Sequence, residues 1–189
     1  MADLTGERIR LRSYRESDIP SLREWVNDPE VTRFLEGLSL FPHTLHDSEV
    51  FVRAQLAPLS PHPPSLELVV ADRHTDVYLG QVGLLSIDWI HRATTLGIVF
   101  PRKNQGQGFG GEALSLLQHL VFDHMGLHRL ELEVHEGNVP ALRCYLRCGF
   151  REEGRRRERR FSGGRFWDVV VMALLESEYR QRNDRSPKP

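Results

Sequence analysis

The sequence has few cysteines, no long apolar run and no excess of either charge. Its two cysteines among 189 residues are too few for a disulfide framework. No apolar stretch approaches the roughly 20 residues that span a bilayer, and the N-terminus lacks the basic, apolar and small-residue pattern of a signal peptide. The formal net charge of −1 excludes a field that attracts nucleic acid or membrane surfaces. We therefore expect a cytoplasmic protein with neither membrane nor nucleic acid as its partner.

The remaining composition is ordinary for one globular domain. Hydrophobic residues make up 40% and charged residues 27% of the chain, and 189 residues suffice for one core but are few for two. No linker or internal repeat divides the sequence. We predict a single domain over residues 1–189, with an N-terminal strand and helices in 1–64, a ligand-binding core in 96–150 and a polar, frayed tail in 179–189.

A glycine-rich segment lies between an apolar strand and a helix. The apolar run 96–100 predicts a buried strand, and a helical pattern follows from Glu112 to about Phe122. Between them, residues 105–111 include four glycines, which let the backbone approach a ligand closely. The free N–H groups and the dipole of the helix start favour an anion there. This segment is a candidate pyrophosphate cradle, and the alternative is a tight turn without a ligand.

The next elements complete a strand–loop–helix–strand–helix unit. Residues 130–134 alternate apolar and polar side chains and predict a strand. Asn138 can cap a following helix, which is predicted to run to Cys148 and to end at Gly149. Further strands in antiparallel arrangement flank this unit, so the fold class is α/β with a mixed sheet. These strands are predicted at 8–12, 66–71, 78–87, 151–161 and 166–174.

Two common phosphate-binding patterns can be compared with the glycine-rich segment. The sequence contains no Gly-x4-Gly-Lys-Ser/Thr pattern, which argues against a P-loop ATPase. Gly106, Gly108 and Gly111 match the Gly-x-Gly-x-x-Gly pattern of dinucleotide-binding folds, with Glu133 or Glu136 as candidate acidic partners of a ribose. This pattern lies past the middle of the chain and leaves too little sequence for the rest of a doubly wound sheet.

The same segment fits another family better. Gln105-x-x-Gly108-x-Gly110 resembles the pyrophosphate loop of the GNAT acyltransferases. Their second motif is matched by Asn138, Ala141, Tyr145, Gly149 and Phe150. Two motifs in the right order and at the right separation are more specific than either alone. Residues 4–12 and 25–29 resemble the N-terminal part of the RimJ/RimL-like branch, so the resemblance covers most of the chain.

The resemblance implies a mostly antiparallel, seven-stranded GNAT-like sheet, flanked by helices and splayed where acyl-CoA enters. It implies an N-acetyltransferase that moves the acetyl group of acetyl-CoA to a primary amine, either a protein N-terminus or a small molecule, and it leaves a homodimer open. A non-catalytic acyl-CoA sensor of the same fold is the alternative. The cofactor-binding positions that the resemblance carries over are Ile98, Val99, Phe100, Gln105, Gly106, Gln107, Gly108, Phe109, Gly110, Gly111 and Asn138.

Acetyl transfer to an amine requires an oxyanion donor, an acid and a base. The family supplies the donor from backbone N–H groups, here near residues 98–100. It supplies the acid as a tyrosine beside the sulfur, and Tyr145 stands at that position. The alternative for Tyr145 is an aromatic side chain that only packs. The motif favours the catalytic role.

The base is less well defined by the sequence. Glu133 is the first choice because its spacing to the tyrosine resembles that of the glutamate in RimI-like protein N-acetyltransferases, and burial is expected to raise its pKa. A salt bridge to Arg129 or another arginine is the alternative. Strand alternation places His135 on the same face, as the second candidate. Residues 93–95 contain no acid, although many RimJ/RimL-like sequences carry one nearby, which leaves the base open.

No metal site is predicted. Cys144 and Cys148 lie one helical turn apart, and two cysteines alone favour core packing over zinc. The basic run 155–160 lies on a predicted strand, where alternation sends its side chains to both faces. A solvated strand with salt bridges is therefore favoured over RNA binding for these arginines.

Overall fold

Seven strands pair into one sheet in the computed structural model, which describes residues 4–35, 41–58 and 60–185. The strands are β1 (Ile9–Arg12), β2 (Leu66–Asp72), β3 (Tyr78–Asp88), β4 (Ala93–Val99), β5 (Arg129–His135), β6 (Arg151–Ser162) and β7 (Arg165–Leu175). Their order across the sheet is β1-β2-β3-β4-β5-β7-β6. Every neighbouring pair is antiparallel except β4 and β5. This topology confirms the predicted mixed, mostly antiparallel α/β fold.

The parallel pair in the middle of the sheet is very short. β4 and β5 pair at only three positions, residues 93–95 with residues 129–131. In the described chain β4 then continues to Val99 and β5 to His135 without pairing to each other. β3 holds β4 on one side and β7 holds β5 on the other. The two strands therefore diverge and leave a gap in the sheet, as the resemblance implies.

Helices cover both faces of the sheet. They are α1 (Ile19–Val26), α2 (Pro29–Thr32), α3 (Leu45–Gln55), α4 (Phe109–His119), α5 (Val139–Arg147) and α6 (Glu176–Arg185). Alternate residues of β2 separate the two cores: Leu68 and Val70 share one with α4 and α5, whereas Val69 and Ala71 share the other with α1 and α3. Of the helices in the described ranges, none is long and apolar enough to cross a membrane.

Helix α4 begins three residues before the predicted start at Glu112, because its first residue is Phe109. Gly110 and Gly111 follow within the first turn. Because glycine has no side chain, the periodic apolar pattern that predicts a helix is missing there. After His119 the helix widens into a π-helical turn over Leu120–His124. The glycine-rich segment therefore forms the first turn of the helix as well as the loop before it.

Capping residues set the ends of α3 and α5. Thr44 and Asp47 form a capping box at the start of α3. The side chain of Asn138 accepts a hydrogen bond from the Ala141 N–H at 3.3 Å and so caps α5, as predicted. Gly149, with φ of 96°, carries the chain out of that helix in a left-handed conformation. The Asn138 cap and the turn at Gly149 therefore fix where α5 begins and ends.

Strand β6 lies at one edge of the sheet, and its basic residues do not follow simple alternation. Its register with β7 shifts between Arg156 and Arg160, and Glu158 has φ of 51°. This irregularity overrides the alternation expected for residues 155–160. Arg155 and Arg156 each pair with a carboxylate, as the salt-bridged interpretation predicts.

The C-terminal segment is a docked helix, which corrects the expectation of a frayed tail. Residues 179–185 continue α6, and residues 186–189 lie outside the described part of the chain. Tyr179 anchors the helix: its side chain is 7% exposed, its ring stacks on Phe122, and its hydroxyl donates to Asp123. Tyr179 is the one buried residue among the described side chains of α6, so the helix shows no hydrophobic periodicity in the sequence. The sequence pattern therefore did not reveal this contact.

Replacing Tyr179 with alanine should destabilise the protein by about 3–5 kcal/mol, because the change removes a large buried aromatic side chain. Gln181→Ala, an exposed position in the same helix, should change the free energy of unfolding by less than about 0.5 kcal/mol. Urea denaturation followed by circular dichroism measures both. Equal, small effects of the two substitutions would mean that α6 is not docked.

Candidate active site

The loop between β4 and α4 presents free backbone groups beside the gap. Gly106 and Gly108 have φ of 73° and 85°, a left-handed conformation that favours glycine. Gly108 is the N-cap of α4, and no side chain in the described chain caps this helix. A Cβ atom on Gly106 would have no neighbour within 4 Å. The first N–H groups of α4 are therefore available to an anion such as a pyrophosphate.

Three side-chain hydrogen bonds hold this loop in shape. The Nε2 atom of Gln105 donates to the carbonyl oxygen of Phe100 at 2.9 Å, and that of Gln107 donates to the carbonyl oxygen of Lys103 at 2.6 Å. Arg8 donates to the carbonyl oxygen of Gln107 at 2.9 Å. The side chain of Gln105, the first residue of the predicted motif, thus shapes the loop, and the glycine backbone is left facing outward.

Arg8 and Glu112 connect the loop to the N-terminal strand, a contact that sequence reasoning missed. The Glu112 carboxylate accepts hydrogen bonds from the backbone N–H of Arg8 at 2.8 Å and from its Nε atom at 3.1 Å. The Arg8 guanidinium also lies 4.9 Å from the centre of the Phe109 ring. The two residues are 104 positions apart in the chain, so no local pattern could relate them.

Strand β4 lines the gap with backbone groups. In the described chain, the edge of β4 that faces β5 has no strand partner after Thr95, whereas its other edge pairs with β3 as far as Val99. Backbone groups on the free edge need another hydrogen-bond partner. Residues 98–100, the predicted oxyanion donors, continue this edge. At the end of this edge the Phe100 ring lies against Gly80. A Cβ atom on Gly80 would lie 2.5 Å from the Phe100 ring.

Two cysteines, Cys144 of α5 and Cys148 directly after it, pack against the start of α4. A Cβ atom on Gly110 would lie 3.8 Å from the sulfur of Cys144, and one on Gly111 would lie 4.0 Å from the sulfur of Cys148. Both thiols are free and pack against the main core, as predicted for core cysteines. In the part of the chain that the structure describes, no three His, Cys, Asp or Glu side chains are grouped to hold a metal ion.

Tyr145 combines a buried ring with a free hydroxyl. Its side chain is 8% exposed, and the ring meets Phe150 edge-on with 5.8 Å between centroids. Among the described residues its hydroxyl has no hydrogen-bond partner, and no fully buried polar side-chain atom lacks one, so the hydroxyl keeps contact with solvent. Burial, reinforced by the neighbouring Cys144, raises the pKa of Tyr145 well above its usual value. The phenol therefore stays protonated and can donate a hydrogen bond.

The candidate bases on β5 lie in different surroundings. Glu133 is exposed rather than buried, which corrects the expected burial, and its carboxylate lies 2.6 Å from Arg156. The predicted alternative of a salt bridge is thus observed, with Arg156 instead of Arg129 as partner. His135 is 4% exposed, and its Nδ1 atom accepts a hydrogen bond from the Gly137 N–H at 3.0 Å. Burial lowers the pKa of His135, so its ring is neutral at pH 7.

A sheet that splits at its centre, with a glycine-rich helix start at the split, defines a transferase that binds an acyl-CoA. The chain belongs to the GNAT acetyltransferases: the family described as "Acetyltransferase (GNAT) domain" matches residues 8–151. It is therefore an N-acetyltransferase that uses acetyl-CoA as its acyl donor. The mixed sheet also rules out the doubly wound dinucleotide fold that the three glycines alone would allow.

Relatives of this chain include several N-acetyltransferases. It is 28% identical over 179 residues to the uncharacterized N-acetyltransferase p20 of Bacillus licheniformis, covering 95% of this chain and 99% of that one. It is 34% identical over 116 residues to a spermidine N(1)-acetyltransferase of Vibrio cholerae, covering 61% of this chain and 66% of the other. A crystal structure of a Vibrio cholerae spermidine N-acetyltransferase with CoA and spermine is similar with a TM-score of 0.81 and 26% identity, covering 91% of this chain and 98% of that chain.

Gly108→Val should weaken acetyl-CoA binding by roughly 100-fold, because the side chain strains a left-handed residue and blocks the free N–H groups. That factor equals the loss of two hydrogen bonds to a charged group at about 1.5 kcal/mol each. Gly126→Val is the matched control, because Gly126 has φ of 64° but follows the far end of α4. Titration calorimetry measures both. Equal losses in the two variants would mean that backbone strain, and not the loop, is responsible.

Proposed function

We propose that this protein acetylates the primary amine of a small cationic molecule by direct attack on acetyl-CoA. The observation that carries the proposal is the protonated hydroxyl of Tyr145 on α5, which has no hydrogen-bond partner among the described residues and lies in the core beside a glycine loop that suits a pyrophosphate. A protein that only sensed acyl-CoA would have no use for an unpaired hydroxyl on a buried ring. The amine would attack the thioester carbonyl carbon, and the CoA thiol would leave.

Tyr145 is proposed to stabilise the leaving sulfur. A thiol such as that of CoA has a pKa of about 8.5, whereas burial keeps the pKa of Tyr145 far higher. The phenol is therefore a hydrogen-bond donor to the thiolate as the C–S bond breaks, and it relays a proton to the sulfur as the product leaves. The backbone N–H groups of residues 98–100, on the edge of β4 that does not pair with β5, are proposed to bind the oxygen of the tetrahedral intermediate.

Glu133 stays a predicted base that the resemblance to RimI-like enzymes supports. Its carboxylate lies 2.6 Å from the guanidinium of Arg156. It would act as a base only if the acceptor displaced or shared that arginine. His135 is neutral and buried beside Phe34 and Trp167, whose ring centroids lie 5.3 Å and 4.9 Å from its own. Its reach to a bound amine depends on those two rings.

The acceptor class rests on the relatives. Two kinds of acceptor fit a GNAT enzyme with this sequence. Polyamines are favoured because relatives of this chain are named spermidine N-acetyltransferases. A protein N-terminus is the second candidate, because residues 4–12 and 25–29 resemble the RimJ/RimL-like branch. The segment 34–64, where we expect acceptor choice to be made, includes residues 36–40 and 59, which lie outside the described part of the chain.

A panel of amines should separate these classes. We expect spermidine and spermine to release CoA thiol faster than peptides with a free N-terminus, when each is supplied at equal concentration with acetyl-CoA. Thiol release is followed with a chromogenic disulfide reagent, and the acetylated product is identified by mass spectrometry. Faster turnover of peptides would favour the RimJ/RimL-like function. No turnover of any amine, with acetyl-CoA binding intact, would favour the non-catalytic sensor.

Tyr145→Phe should lower kcat by roughly 10²–10⁴, the usual cost of removing a positioned proton donor, while the affinity for acetyl-CoA changes little. The substitution keeps the ring and its contact with Phe150 and removes only the hydroxyl. Tyr179→Phe is the matched control, because that hydroxyl serves α6 docking through Asp123. Steady-state kinetics with a verified acceptor measures both. Unchanged kcat in Tyr145→Phe would contradict the assignment.

A further inference from the structure

Glu67 projects from β2 across the face of the sheet that α1–α3 cover. Its Cα pairs with Gly83 of β3, and Gly83 in turn pairs with Gly97 of β4. A Cβ atom on Gly83 would overlap the Glu67 carboxylate. The carboxylate therefore lies on top of β3 and points towards β4. It occupies this place only because residue 83 is a glycine.

The Glu67 carboxylate has no partner of opposite charge within residues 4–35, 41–58 and 60–185. In the described chain it makes no hydrogen bond or ion pair, and its side chain is half-buried. Other carboxylates close to this face are paired: Asp18 lies 2.8 Å from Arg12, and Glu133 lies 2.6 Å from Arg156. Desolvation without a compensating charge raises the pKa of Glu67 to about 7. Near neutral pH this carboxyl group can therefore both accept and release a proton.

The polar groups around Glu67 are uncharged and held in place. The hydroxyls of Tyr14 and Tyr78 both donate to the amide oxygen of Gln81, at 2.6 Å and 3.2 Å. Trp25 donates to the Tyr78 hydroxyl at 2.9 Å. Both tyrosines interact electrostatically with Glu67, and burial raises their pKa values so that they stay neutral. The amide oxygen of Gln81 is thus occupied, and its NH₂ group remains available to an acceptor.

The position of Glu67 suits proton transfer at β4. Neighbouring strands lie about 4.8 Å apart, so a carboxylate above Gly83 is roughly 5 Å from the backbone of β4 across the sheet. One water that bridges two groups by hydrogen bonds of about 2.8 Å spans a similar distance. Ile98, next to Gly97 in the chain, begins the segment proposed to bind the thioester oxygen. An amine that approached Ile98 over this face of the sheet would come within reach of Glu67, directly or through one water.

We propose that Glu67 is the proton acceptor for the attacking amine, acting directly or through one water, because its unpaired carboxylate lies across Gly83 beside β4. This inference rests on the proposed function. Glu67 takes one proton from the ammonium group, which frees the lone pair of the nitrogen. The nitrogen then bonds to the carbonyl carbon, and the C–S bond breaks with its electron pair going to sulfur. The second amine proton reaches the sulfur with the help of Tyr145, and the proton on Glu67 leaves to solvent.

The pH dependence of kcat/KM tests this role. In the wild type the rate should fall about tenfold per pH unit below pH 7, since a protonated carboxyl group cannot accept the amine proton. Glu67→Gln should lower kcat by roughly 10²–10⁴. It should also remove this acidic limb of the pH–rate profile, with acetyl-CoA affinity unchanged. Glu152→Gln, which changes an exposed carboxylate of β6 that pairs with Arg155, is the matched control and should keep the limb. Glu133→Gln tests the rival base. A limb that survives in Glu67→Gln, or that disappears only in Glu133→Gln, would overturn the proposal.

Stability separates a catalytic from a structural role. The folded state binds the Glu67 proton more tightly than the unfolded chain, whose glutamate pKa is about 4.3, so the wild type loses stability as pH rises from about 4 to 7. Glu67→Gln should therefore raise the Tm at pH 8, and this gain should vanish at pH 4. A lower Tm at pH 8, together with an unchanged pH limb, would indicate a structural residue and contradict the proposal.

A second variant tests the proposal even if Glu67→Gln does not fold. Gly83→Ala leaves the carboxyl group in the protein but pushes it from its place above β3. It should lower kcat and shift the acidic limb; wild-type kinetics in this variant would overturn the proposal. If the wild type acetylates no amine at all, the proposed function fails. If it turns over an amine and both variants keep the wild-type limb, only the role of Glu67 fails.

Discussion

The early end of pairing between β4 and β5 is the constraint on which the rest of the structure depends. Both strands continue beyond their last shared position, and each is held by its other neighbour, so the sheet must open there. Backbone groups inside a fold need hydrogen-bond partners, and those on the free edge of β4 can find them in a ligand. α4 and α5 bridge the back of the opening and keep one continuous core beneath it. A sheet with full pairing would have no room for acyl-CoA.

Charge pairing explains why so little of the surface charge is available for chemistry. Acidic and basic residues are nearly equal in number, 26 and 25. Arginines form ion pairs with carboxylates on both sides of the gap. Arg156 binds Glu133 on one side, and Arg8 binds Glu112 beside the glycine loop on the other. Against this background Glu67 is exceptional, because its half-buried carboxylate has no partner among the residues that the structure describes. Burial without a basic partner among the described residues raises the pKa of this carboxyl group and makes it suited to exchange a proton.

The parts of the site that depend on neighbouring residues in the chain were predictable. The loop 105–111, the Asn138 cap and the turn at Gly149 all follow from local backbone preferences, which act over a few residues. The interpretation of Tyr145 as a site residue needed the spacing of a known motif, because an isolated tyrosine on a helix is most simply a packing residue. The docking of α6 was missed, since Tyr179 is its single buried residue.

The sequence by itself indicated the family through two motifs that resemble those of the GNAT acyltransferases. It also predicted the strands and the glycine loop, because backbone propensity and periodicity are written in consecutive residues. Only the tertiary structure decided which carboxylates are paired. Glu133 and Arg156 meet across β7, and Glu67 meets Gly83 across a strand pair, through registers that no local pattern specifies. The physical reason is that a carboxylate's basicity depends on burial and on nearby charge. Both are set by residues that are distant in sequence and become neighbours only when the sheet has formed.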